Sequence, residues 1–219
     1  MVIEKTKWRQ DFFDEVETIR LNDPLSYVLG SQYEGEPFVF EYADAVKLAG
    51  HSCPAVSGAY KLTALALKAL YGDELPVRGE IRVLIKGEPS QLAYGPQAQV
   101  IMLITGASGV TGFHGLGGRY SRFNKLRFDE KDFQFSTFIF EREDTKKAVK
   151  VVYNPGVLPQ DPAMSDLSPR VIQGVATVKE KEQFIALWQG KVRKILLEDK
   201  KYPGLFTVEE ITGFKFPAE

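Results

Sequence analysis

The chain has 219 residues, 44% of them hydrophobic and 26% charged, and its 28 basic and 29 acidic side chains leave a net charge of -1. That length suits a single domain with its own core. The balanced charge gives no basis for nucleic acid or an anionic membrane as partner, and no apolar run is long enough to span a bilayer. One cysteine excludes an intrachain disulfide framework, and the opening Met-Val-Ile-Glu-Lys-Thr-Lys-Trp lacks the apolar run of a signal peptide, so a cytoplasmic location is expected.

Trp8, Phe12, Phe13, Val16 and Ile19 recur at spacings of three and four, which predicts an N-terminal helix ended by Asn22-Asp23-Pro24. Phe38-Val39-Phe40 reads as a short strand, and residues 41–48 as a short helix closed by Gly50. From Pro54 to Tyr71 the pattern is strongly helical, with proline at a first helical position, Val56, Tyr60, Thr63 and Leu67 on one face, and Gly72 as a C-terminal cap. The period then drops to two. Ile81, Val83 and Ile85 alternate with Arg82, Leu84 and Lys86, predicting a half-buried strand, and Val100 to Thr105 predicts a more apolar one.

Residues 133–141 and 148–153 read as a hairpin, joined by the charged turn 142–147. Residues 154–170 carry Pro155, Pro159, Pro162 and Pro169 without periodicity and predict a long connection. Thr177 and Glu180 have capping-box spacing, and Phe184, Trp188, Val192 and Ile195 form the apolar stripe of a final helix suited to core or dimer contact. Helices, then antiparallel strands, then a helix imply an α+β fold with an antiparallel sheet packed on helices. The whole chain, 1–219, is expected to be one domain.

The chain holds two histidines, His51 and His114, and the single cysteine, Cys53. Gly50-His51-Ser52-Cys53-Pro54 joins two predicted helices and puts Cys53 at the start of the second. There the unpaired backbone N–H groups and the helix dipole favour thiolate, the form that binds metals and attacks electrophiles. His51, two residues earlier on irregular backbone, can turn towards the same point. His-x-Cys alone is a weak signal, and a small buried cysteine beside a packed histidine is the ordinary alternative.

The stretch from Val46 to Leu67 resembles the FmdE family, which takes its name from formylmethanofuran dehydrogenase. The resemblance rests on Gly50-His51-x-Cys53-Pro54 following a helix, then a helix with a glycine (Gly58) four residues after the proline. It continues through Ile101-Met-Leu-Ile-Thr-Gly at a Gly-rich turn and the hairpin from Phe138 to Val152. It covers about residues 40–155, flanked by an N-terminal helical extension, 1–36, and a C-terminal linker plus helix, 156–219. Many relatives have a histidine where Ala49 stands, and often a cysteine where Ala107 stands. The resemblance implies that the loop after Ile-Thr-Gly faces the His-x-Cys-Pro turn. His114 in that loop would then replace the missing cysteine, giving a His51, Cys53, His114 metal set with an open position, the catalytic form of a zinc site. Zinc suits mixed imidazole and thiolate donors better than iron or nickel. The resemblance also implies a homodimer.

Thr105-Gly-Ala-Ser-Gly-Val-Thr-Gly matches a dinucleotide-binding turn, T-G-x-x-G-x-x-G. The residues after it hold too much glycine for the required helix, no strand ending in an acidic residue follows, and no Tyr-x-x-x-Lys occurs, so NAD(P) is not expected. The glycines are better read as a mobile loop, 106–118, covering the site and letting backbone approach a ligand. Gly112, Gly115, Arg119 and Arg122 are the candidate substrate contacts, the arginines for a carboxylate or phosphate. Cys53, and Tyr60 two turns further along the helix, are the candidate catalytic groups.

The expectation is an FmdE-like zinc-dependent enzyme acting on a small molecule by polarising a carbonyl or activating water, its reaction class open. The alternatives are a non-catalytic accessory protein binding a metal or metal cofactor, and a metal-free enzyme with Cys53 as nucleophile and His51 as its base.

Overall fold

The computed structural model describes residues 4–217. Its helices are α1 (Pro24–Val28), α2 (Tyr42–Ala49), α3 (Pro54–Tyr71), α4 (Tyr94–Thr105), α5 (Ala163–Ile172) and α6 (Val178–Leu197). Its strands are β1 (Ile19–Leu21), β2 (Phe38–Phe40), β3 (Ile81–Ile85), β4 (Leu126–Phe128), β5 (Thr137–Arg142), β6 (Ala148–Tyr153) and β7 (Phe206–Ile211). β1 and β2 form a two-stranded antiparallel sheet, and the other five lie in the order β4-β3-β5-β6-β7. Only β3 and β4 run parallel. The fold is α+β, as expected.

α3 is the central helix and packs against α4, α6 and β6. Small residues allow this close packing: Ser57, Gly58, Ala59 and Ala66 are buried between Val56, Leu62, Leu67 and Leu70. The helix begins at Cys53 in extended conformation (φ -148°, ψ 169°) with Pro54 as its first residue, and Gly72 follows its end with φ 63°. The hairpin β5–β6 and the Thr177–Glu180 capping box are present, although β5 begins at Thr137 rather than at residue 133 and takes in Arg142 from the expected turn.

β3 is more buried than alternation predicts, because the sheet is covered on both faces. Ile81, Val83 and Ile85 join the main core, while Leu84 packs behind the sheet with Ile139, Ala148, Phe214 and Phe216.

Three expected elements differ. Phe12, Phe13, Val16 and Ile19 are buried, but on a 3-10 turn (Asp11–Glu15), on the extended residue after it and on β1, where Ile19 lies opposite Phe40. Strand pairing claims the backbone that the side-chain spacing assigned to a helix. Val100–Thr105 is the end of helix α4, not a strand. Its buried Gln97, Ile101, Ile104 and Thr105 have helical spacing, and Pro96 sits in the first turn, where no backbone N–H is needed. The proline-rich connection contains α5, with Pro169 inside it. β4 and β7 were not expected at all.

The two ends of the helical layer are chemically distinct. At one end Tyr153 donates to the Pro54 carbonyl (2.9 Å), and the Tyr94 hydroxyl donates to the Gln134 carbonyl (2.8 Å). At the other end Arg142 lies over the Tyr71 ring, and Gly79 N–H donates to the Thr105 carbonyl. Cys53 belongs to the first end and the Gly-rich loop to the second.

Candidate functional site

The His51–Pro54 turn is held from three directions through Ser52 and Pro54. The Ser52 carbonyl accepts from Trp188 Nε1 (3.0 Å) and Gln189 Nε2 (3.2 Å), both on α6. Ser52 Oγ donates to Gln189 Oε1 (3.1 Å) and is hydrogen-bonded to the Tyr42 hydroxyl on α2 (2.9 Å). Tyr153 fixes the Pro54 carbonyl from β6. Burial first, and Cys53 second among the causes that raise it, push the Tyr153 hydroxyl's pKa well up; burial does the same to Tyr42. Both phenols therefore remain hydrogen-bonding, uncharged groups.

Cys53 is 9% exposed, and its carbonyl accepts from Ser57 N–H (3.0 Å) and Ser57 Oγ (2.9 Å). Its side chain caps nothing. His51 is exposed, with Nδ1 2.9 Å from the Ala49 carbonyl. A carbonyl only accepts, so Nδ1 carries the proton, and in the neutral ring the Nε2 lone pair is available. Metal-binding histidines are oriented in this way. The turn thus carries one imidazole and one thiol, two residues apart, on a rigid backbone.

The structure does not bring His114 to them. Its ring stacks on Phe123 at 4.2 Å, in a loop held at the far end of the layer. That loop is tied back on itself, with Arg122 N–H donating to the Phe113 carbonyl (2.7 Å) and Asn124 N–H to the Gly109 carbonyl (3.2 Å). The length of α4, about 18 Å at about 1.5 Å per residue, lies between the loop and the turn. Among the described residues no three His, Cys, Asp or Glu side chains are grouped so as to hold a metal. Loop 106–118 therefore does not cover Cys53, which corrects both the three-ligand set and the lid expected from the resemblance.

Tyr60 is likewise not turned towards Cys53. It is 1% exposed, and its hydroxyl donates to the carbonyls of Phe40 (2.8 Å) and Glu17 (3.0 Å), fastening α3 to the small sheet. Burial raises its pKa. Arg122 is a buried structural cation: its Nη2 donates to Asp23 Oδ1 (2.7 Å), and Arg78 Nη1 donates to the other carboxylate oxygen (2.8 Å). Arg119 is exposed, lies over the Tyr120 ring, and lines a hollow of about 350 Å³ with Arg122 and Lys125. Gly112 and Gly115 allow close approach of the chain to itself. A Cβ at Gly112 would lie 2.9 Å from the Arg122 carbonyl oxygen, and one at Gly115 2.2 Å from that of Arg119.

Beside the turn, on the α6 side, lies a groove of about 940 Å³ that sequence reasoning missed, lined by Pro54, Pro159, Met164, Trp188, Lys191 and Lys194. Trp188 was legible as part of a helical stripe. Gln189 and Ser52 carried no sequence signal, because only the packing of α6 against the turn brings them together.

A family model described as "FmdE, Molybdenum formylmethanofuran dehydrogenase operon" matches residues 48–202, more than half of the chain, including the His51–Pro54 turn and the groove beside it. No curated protein matches the chain.

Proposed function

The chain belongs to the FmdE family, and on that premise we propose that it is a non-catalytic accessory protein of a metalloenzyme system that holds a metal ion at His51 and Cys53. The observation that carries this reading is the donor arrangement. His51 has its Nδ1 engaged and its Nε2 without a hydrogen bond among the described residues, and Cys53 stands two residues on in a turn braced by Trp188, Gln189 and Tyr153. Zinc takes three or four such donors. This chain supplies two at the turn, so a full zinc site needs donors from a second copy, a partner protein or a bound small molecule. An incomplete donor set suits transient holding or transfer of a metal better than a closed structural site.

The same incompleteness favours an accessory role over a zinc-dependent hydrolase or transferase. Such an enzyme needs a metal with an open position and a general base beside it. Tyr60, the expected catalytic partner, has its hydroxyl committed to two backbone carbonyls.

The test is elemental analysis of untagged protein incubated with zinc and passed through a desalting column, beside His51→Ala, Cys53→Ser and His114→Ala. Zinc retained by the parent and by His114→Ala, and lost from the other two, is the expected result. Zinc absent from the parent, or retained without Cys53, overturns the reading. Zinc lost with His114→Ala would restore the three-ligand site instead.

A further inference from the structure

The groove beside the turn is built from two helical faces and an irregular segment. Lys191 follows Leu187 by four and Trp188 by three, and Lys194 comes three later, so these residues share one face of α6. Met164, Ser165 and Ser168 of α5 face them, and Pro159 to Pro162 close one end. A volume of about 940 Å³ is in the range of small-molecule sites, which combine apolar walls with a few convergent polar groups. The walls here are Trp188, Leu187, Met164 and prolines, and the polar lining includes two lysines, Lys191 and Lys194, with Asp161 and two serines.

Neither Lys191 nor Lys194 pairs with a carboxylate among the described residues. Asp161, the one acid lining the groove, uses Oδ1 to accept from Ala163 N–H (2.9 Å). Lys191 is half-buried, and burial alone, with no carboxylate opposing it, lowers its pKa. A cation that has lost part of its hydration without gaining a partner is stabilised by an incoming anion. The groove also adjoins the candidate metal turn, since Pro54 lines it and Trp188, one of its walls, donates to the Ser52 carbonyl.

We propose that the groove between α5 and α6 binds a small organic anion, a carboxylate or phosphate ester with a flat apolar body, its charge on Lys191 and Lys194 and its body against Trp188. Placed there, the ligand lies beside His51 and Cys53. Its service to that turn rests on the metal-binding reading above; its affinity for the groove does not.

The probes are phenylpropionate, phenyl phosphate and the uncharged phenylpropanol. Binding is read by Trp188 fluorescence in Trp8→Phe protein, where it is the one remaining tryptophan. The two anions should bind and the alcohol much more weakly. Lys191→Met and Lys194→Met, which keep the apolar stem, should each weaken anion binding by about tenfold, the loss of one charge-assisted hydrogen bond, and Lys191→Arg should restore it. Preference between carboxylate and phosphate identifies the headgroup. Equal binding of phenylpropanol, indifference to both lysine variants, or no fluorescence response to any probe overturns the proposal. The titrations are run on metal-free protein, so failure of the metal reading and failure of the groove are separate results.

Discussion

The ring of Tyr153 fills the space that a β-carbon on Gly58 would need. A Cβ built there would stand 2.3 Å from Tyr153 Cε1 and 2.5 Å from Cζ. The ring has no easy retreat, because its hydroxyl is bonded to the Pro54 carbonyl and its other side stacks on Phe206 at 5.0 Å. This contact seats α3 on β6 and aims the start of the helix, with Cys53 at its N-cap.

Gly58→Ala should therefore destabilise the protein even though alanine is the better helix former. The propensity gain is about 1 kcal/mol, and overpacking a buried contact of this kind costs about 1–3 kcal/mol or more. A lowered denaturant midpoint is expected, with part of the loss recovered when Tyr153→Leu makes room. An unchanged or raised midpoint in Gly58→Ala would mean that α3 does not pack this closely.

Asp23 bridges Arg78 and Arg122 through its two carboxylate oxygens and is 3% exposed. Removing it leaves two guanidinium groups facing one another with little water. Asp23→Ala should cost about 3–5 kcal/mol, as expected when one partner of a buried ion cluster is deleted. Adding Arg122→Met should return a good part of that loss. Thermal melts of the two variants decide the matter, and a loss as small as that of a surface substitution, within about 0.5 kcal/mol, would contradict the network.

Glu141 lies behind the sheet, 3% exposed, with Oε1 lacking a hydrogen bond among the described residues and Arg82 Nη1 3.8 Å away. Burial raises its pKa above the ordinary 4.5, against the opposing pull of Lys146 and Arg82. The folded state then binds the proton more tightly than the unfolded chain. Stability falls as pH rises from that ordinary value through the raised folded one, and the penalty is full above it. Glu141→Gln should stabilise the protein at about pH 7, with the gain fading at about pH 4, where the parent carboxyl is mostly protonated in both states. Denaturant titrations at the two pH values read the difference directly, and a gain independent of pH would refute the assignment.

Much of the fold was legible where local signals agree. Pro54 and Gly72 bracket a strongly periodic run, and α3 occupies that span. Thr177 and Glu180 announce α6, and their reciprocal hydrogen bonds are present. Signals failed where backbone pairing or context overrode side-chain spacing. Ile19 belongs to a helical pattern but pairs with Phe40, and Val100 to Thr105 looks like a strand until Tyr94 to Gln97 are included in the same helix. β7 has four exposed residues of its six and exists because β6 offers it an edge.

The sequence by itself determined the chemistry of the turn. Cys53 and Pro54 are neighbours in the chain and His51 lies two residues before the cysteine, so the N-cap position of the cysteine and the presence of an imidazole in the same turn follow from local sequence. Whether His114 joins them was a tertiary matter, decided against by α4, which carries its loop to the opposite end of the layer, where Arg122 locks onto Asp23. The groove was tertiary too, since α5 and α6 form its walls only when they pack together beside Pro54. Short-range donors are set by bonds along the chain, whereas long-range ones depend on where rigid helices of fixed length deliver their ends.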